Sequence, residues 1–243
     1  MAGVGFGRGL LGVACLLAVL VGVSAGAVPV QRSAGTAPGV LRVMPLGASS
    51  TVGKGSPETA GYRGPLQELL VRDGVAVDLV GSLRDGPDSV PDRDHEGRGG
   101  ITLEAMRPQV AEWVRRADPD VVLLHNGTND LLLGASAEVA ADRLEGVLSE
   151  IVAVSDAHVI VAGVWAPLPG DERDREEFNR LSGVVVAGFR EGGHSMRYVD
   201  TSDLLAPDQL ADGLHPNAAG YRAIAEMWKR EILDITGLRP AGC

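Results

Sequence analysis

From residue 40 onward, short apolar runs alternate with longer segments in which apolar residues recur every three or four positions. The runs at residues 40–46, 75–80, 121–124, 159–164 and 197–199 predict five strands. Segments 62–72, 103–116, 137–155 and 175–190 carry the helical period, and 216–235 closes the chain as a further helix. Strands separated by single helices need crossover connections, which are right-handed and give a mostly parallel sheet covered on both faces. The expected fold class is therefore α/β, and reacting groups are expected on the loops leaving the carboxyl ends of the strands.

The pattern breaks down before residue 40. Arg8, an apolar run over residues 10–23 and the small residues Ala25-Gly26-Ala27 together read as a secretory signal over 1–27, cleaved after Ala27. Residues 28–39, small and punctuated by proline, read as a linker, which leaves 40–238 for the folded domain and 239–243 for a C-terminal tail. The apolar run is short for a membrane span. Export followed by release is expected, with no stable membrane association. Cys15 leaves with the signal and Cys243 is the last residue, so no internal disulfide is expected. Gly7, Gly9 and Gly12 have the spacing of a dinucleotide fingerprint, but no strand precedes them.

Composition narrows the function classes. The chain has 243 residues, enough for one sizeable core, and is 45% hydrophobic and 22% charged, as folded domains are. It carries 22 basic and 32 acidic residues for a net charge of −10; losing Arg8 with the signal leaves 21 against 32, or −11. Such a surface repels phosphate backbones, so nucleic acid is not an expected partner. An aromatic content of 4% is sparse for a binding surface built of stacking platforms.

Four fragments carry candidate chemistry. Ser49 follows the first strand in Gly47-Ala48-Ser49-Ser50-Thr51, where a hydroxyl reaches a cleft but needs a base to become a nucleophile. Near the other end, Asp212-Gly213-Leu214-His215-Pro216 sets an aspartate three residues before a histidine, a spacing that lets one side chain orient the other. Asn126-Gly127-Thr128-Asn129-Asp130 follows the third strand and offers an amide donor, and Gly97-Arg98-Gly99-Gly100 offers a backbone N–H. Taken one at a time, these also read as helix caps and turns.

In this order, Gly47-Ala48-Ser49-Ser50, Gly100, Gly127-Thr128-Asn129-Asp130 and Asp212-Gly213-Leu214-His215 resemble the successive blocks of the SGNH or GDSL hydrolase superfamily. The resemblance implies a flavodoxin-like three-layer α/β/α sandwich and an esterase. Ser49 would be the nucleophile, His215 the general base and Asp212 the residue orienting it; the Ser49 N–H, the Gly100 N–H and the Asn129 side chain would form the oxyanion hole. Residues 42–47, 61–63, 79–82, 94–97 and 123–130 resemble the branch called carbohydrate esterase family three, which includes acetylxylan esterases. That branch implies an enzyme releasing short acyl groups, acetyl above all, from an acylated carbohydrate such as xylan; with the signal ahead of it the enzyme is expected to be secreted, and acyl transfer by side chains and backbone donors needs no cofactor. A lipase or thioesterase on the same scaffold, or a non-catalytic carbohydrate-binding descendant, are the alternatives. The chain departs from the family where Ala48 replaces an aspartate, where Ser50 takes a commonly apolar position, and where Arg98-Gly99 and Ile101 replace His-Ser and tryptophan around Gly100.

Smaller signals change little. Asp92, Asp94 and Glu96 alternate ahead of Gly97 like a calcium loop, but Leu103 stands where the bidentate glutamate belongs, so a solvated acidic loop is expected. His95, His125, His158 and His194 lack partners at zinc-ligand spacing. Trp165 falls at a strand end, where it suits core or rim packing or the lining of a cleft; Trp113 and Trp228 fall in helical patterns and suit packing.

Overall fold

In a computed structural model of the chain, strand β1 (Leu41–Gly47) runs through the middle of a parallel sheet. Residues 1–3, 5, 39–168, 170 and 172–240 are described. The expected signal segment and linker, with Cys15 and Cys243, lie almost entirely outside them.

One edge of β1 pairs with β5 (Val121–His125), followed outward by β6 (His158–Ala162) and β7 (Met196–Val199), all parallel. Its other edge is shared. Near its start β1 pairs with β2 (Val77–Leu79), and near its end with β4 (Asp94–Gly97), to which the two-residue β3 (Leu83–Arg84) is antiparallel.

Among the described residues seven strands thus stand where five were expected. The five anticipated ones are present, slightly shifted at their ends; β3 and β4 were missed because Leu-Arg and Asp-His-Glu-Gly have no apolar run. The acidic stretch is correspondingly not a solvated loop. His95 and Glu96 are fully buried, the Glu96 carboxylate accepts from the Ser82 N–H at 2.9 Å and from Arg98 at 2.6 Å, and Asp92 accepts from the Leu79 N–H.

Alternation along the strands builds two cores. Val122, Leu124, Val159 and Val161 face α3 (Leu103–Ala117), α5 (Ala137–Val152) and α6 (Glu172–Glu191); Val121, Leu123, Ile160 and Ala162 face α2 (Arg63–Arg72) and α7 (Ala218–Thr236). This is a three-layer α/β/α sandwich. Two short helices were not anticipated, α1 (Ser49–Val52) and α4 (Thr128–Leu132), each directly after a central strand. Helix α7 begins at Ala218, later than the proline-based expectation of 216, because the Asn217 side chain accepts from the Ala219 and Gly220 N–H groups while Pro216 bridges back to Leu210. No helix among the described residues is long and apolar enough to cross a membrane.

Candidate active site

The strands deliver their loops to one end of the sheet, and the turn after β1 is the tightest of them. A side chain at Gly47 would place its Cβ 2.2 Å from the His125 carbonyl oxygen, so only glycine lets β1 end so close to β5. The chain then turns into α1 with Ser49 as its first residue, whose N–H has no acceptor within the helix. Arg63 fixes this turn from below. Its fully buried guanidinium donates to the carbonyls of Thr51 (3.1 Å), Val52 (3.1 Å), Asp85 (2.8 Å) and Arg93 (2.6 Å), lacing the Ser49 turn to the segment before β4.

Across the cleft, the segment before α7 bends so that one carboxylate serves two purposes. Asp212 Oδ1 accepts from the backbone N–H groups of Leu214 (3.1 Å) and His215 (2.8 Å), and Oδ2 lies 2.9 Å from His215 Nδ1. His215 Nε2 lies 3.0 Å from Ser49 Oγ. The His215 N–H and then the His215 ring hold the Asp212 carboxyl down at about 2, so it stays ionised through the mildly acidic range. The neighbouring Ser50 also lines the cleft but has another partner: it is buried against the Tyr221 hydroxyl, which itself donates to the Lys54 carbonyl at 2.6 Å.

The two loops carrying the remaining candidates are tied together. Gly100 follows β4 with φ +80°, a left-handed conformation that favours glycine. Asn129 Nδ2 donates to the Ile101 carbonyl at 2.9 Å, and the buried Asp130 accepts from the Leu103 N–H at 2.8 Å and from Arg143 at 3.0 Å. The amide of Asn129 has a second N–H to offer. Arg98 anchors the Gly100 loop: its N–H donates to the Gly47 carbonyl (2.9 Å), its guanidinium to Glu96, and its Cζ lies 4.4 Å above the Trp113 ring.

A cavity of about 280 Å³ opens between these loops, lined by Ser49, Gly100, Asn129 and His215, with Asp212 behind the histidine. Five residues that sequence reasoning singled out from four separate fragments therefore meet at one place. Ala48 lines it too; with no polar side chain there, α1 has no side-chain cap. His125 and Trp165 also line the cavity, stacked with ring centroids 3.3 Å apart and both buried. The tryptophan thus serves packing and cleft at once. Asp130 stood in a recognised block without a role assigned to it, and no sequence signal pointed to the parts that His125, Lys54 and the carbonyl-binding Arg63 play in lining or bracing the cavity. Among the described residues, no group of three or more His, Cys, Asp or Glu is placed to hold a metal ion.

Burial pushes the His125 imidazole down to about 3 and that of His95, beside Arg63, to about 4, against an ordinary value of 6.5. As pH falls below 6.5 the unfolded chain takes up these protons and the folded chain does not, so stability is complete above 6.5 and drains away towards 4 and 3. At pH 5 each histidine costs about 2 kcal/mol relative to neutral pH, a fall in melting temperature of roughly 5–15 °C for the pair. Thermal unfolding of wild type and His125→Phe between pH 7.5 and 5 checks this. The variant should show about half the slope, and a flat wild-type profile would contradict the burial argument.

The pattern of the GDSL-like Lipase/Acylhydrolase family matches residues 46–223. A family 3 carbohydrate esterase of Clostridium thermocellum superposes with a TM-score of 0.74 at 32% identity, over 83% of this chain and 100% of its own. A carbohydrate esterase family 3 protein from Talaromyces cellulolyticus gives 0.67 at 26% identity, over 82% and 100%. A multidomain esterase of Ruminococcus flavefaciens is 29% identical over 231 residues, covering 81% of this chain; this chain spans only 29% of that relative's length.

Proposed function

From the premise that the chain belongs to the GDSL-like lipase/acylhydrolase family, as a carboxylic ester hydrolase close to carbohydrate esterase family 3, we propose that it is a secreted serine esterase removing acetyl or similarly short acyl groups from a polysaccharide such as xylan. The observation that carries this reading is the continuous chain from Asp212 through His215 to Ser49 Oγ at the edge of a small cavity.

In the proposed reaction Ser49 Oγ attacks the ester carbonyl carbon while His215 Nε2 takes its proton. The carbonyl oxygen becomes an oxyanion, which accepts from the N–H groups of Ser49 and Gly100 and from the Asn129 amide. The tetrahedral species collapses as His215 returns the proton to the departing sugar oxygen. Water, deprotonated by His215, then attacks the acyl group on Ser49, releasing the acid and restoring the serine. Asp212 holds the imidazole in the required tautomer and balances its charge. Each group needed is a side chain or a backbone N–H, so the scheme calls on no cofactor. The apolar segment ahead of residue 28 supports export, with residues 1–27 removed.

The cavity, walled by buried His125, Trp165 and Ala166, favours short acyl groups over the long chains of a lipase or thioesterase substrate. Activity on 4-nitrophenyl esters should therefore fall by roughly tenfold or more in kcat/KM from acetate to octanoate, and acetylated xylan should release acetate. A preference for octanoate would replace this reading with the lipase one. Binding of xylan with no turnover of any ester would leave a non-catalytic descendant.

A further inference from the structure

The chain holds only two lysines. Lys229 is largely buried and paired with Asp73 at 2.7 Å. Lys54 lines the catalytic cavity, is exposed, and has no carboxylate partner among the described residues. Among the residues lining that cavity it is the one with a permanent positive charge, and no aspartate or glutamate lines it. In a chain of net charge −10, Lys54 thus brings a positive charge to the lining of this site, while the Asp212 carboxylate behind it is engaged by His215.

The root of this side chain is fixed. The Lys54 N–H donates to the Ser49 carbonyl at 3.0 Å, its own carbonyl accepts from the buried Tyr221 hydroxyl at 2.6 Å, and the next residue, Gly55, packs so tightly that a Cβ there would lie 2.4 Å from the Pro216 carbonyl oxygen and 3.1 Å from His215 Cβ. The Lys54 side chain therefore leaves the backbone beside Ser49 and His215 and lines the same cavity as they do. The opposite character belongs to the buried wall, where the His125 ring stays uncharged at neutral pH and stacks on Trp165. An uncharged acyl group suits that wall. An anion borne by the substrate does not, and has to sit at the exposed mouth with the alcohol part of the ester.

We propose that Lys54 is a specificity-determining residue that selects esters whose alcohol part carries a carboxylate, such as acylated glycan units containing or adjoining a hexuronate. This inference rests on the esterase reading above and names its substrate class more closely. A mobile, solvated ammonium meeting a carboxylate contributes modestly to binding, so the expected effect is a preference of roughly fivefold, expressed in KM more than in kcat.

The test uses one matched pair: an acetylated methyl glucuronoside with its carboxylate free, and the same compound as its methyl ester. Acetate release is followed for the full chain, with 4-nitrophenyl acetate as an esterase control. Wild type should favour the free carboxylate by roughly fivefold in kcat/KM, and added salt should erode that ratio. The ratio should fall to near one in Lys54→Met and below one in Lys54→Glu, whatever happens to either rate alone. A wild-type ratio near one with 4-nitrophenyl acetate turned over, or a ratio unchanged in Lys54→Met, overturns the role of Lys54 and leaves the esterase standing. Failure to turn over any of the three esters overturns both.

Discussion

Ser49→Ala is expected to abolish ester hydrolysis, with a loss of at least about 10⁴-fold in kcat, while Ser50→Ala keeps most of the activity. The two hydroxyls are adjacent in sequence but have different surroundings. Ser49 Oγ lies 3.0 Å from His215 Nε2, whereas Ser50 is packed against Tyr221. Only the first can lose its proton to the imidazole while facing the donors at Gly100 and Asn129. A serine-directed organophosphonate should accordingly label Ser49, and peptide mapping of wild type and both variants gives a readout independent of substrate choice. Ser50→Ala should lower the stability slightly through Tyr221 and leave the labelling intact. A label on Ser50, or turnover surviving in Ser49→Ala, would move the nucleophile.

His215→Ala should cost about as much as losing the serine, roughly 10⁴- to 10⁶-fold, because neither the attack nor the protonation of the leaving oxygen then has a proton carrier. Asp212→Ala should be milder, about 10²- to 10⁴-fold: Ser49 and His215 still meet, but the ring loses its fixed tautomer. Asp212 also accepts from two backbone N–H groups, at Leu214 and His215. Asp212→Asn is therefore the sharper probe, since it retains an acceptor for those groups while removing the charge. It should fold like wild type and still lose most of its turnover. Unfolding of all three variants would make the pair a structural clasp, and full activity in Asp212→Asn would remove the aspartate from the mechanism.

The fold was legible where apolar alternation is strong. Val121–Leu124 and Val159–Ala162 show one residue to each core in turn, and helices α3 and α5 ahead of them are capped by the hydroxyls of Thr102 and Ser136. It was illegible where burial is polar. Strand β4 reads Asp-His-Glu-Gly because its backbone pairs with β1 while the Glu96 carboxylate is matched by Ser82 and Arg98, partners that no local pattern announces. The site was legible as fragments, since Ser49, Gly100, Asn129, Asp212 and His215 each stand at a recognisable turn. What the sequence could not supply was the lacing between those turns, such as Asn129 to Ile101 and Asp130 to Leu103, which depends on distances across the sheet.

Arg63 bears on how this site can vary. Its guanidinium is solvated by four carbonyl oxygens and so reads the path of the chain at positions 51, 52, 85 and 93, not the side chains there. Substitutions at Asp85 and Arg93 that keep the backbone in place leave those contacts whole. At those two positions the surface chemistry can thereby be redrawn by evolution or by an engineer without loosening the serine turn, whereas changing Arg63 itself, even to lysine with its donors on a single nitrogen, would unlace both segments at once.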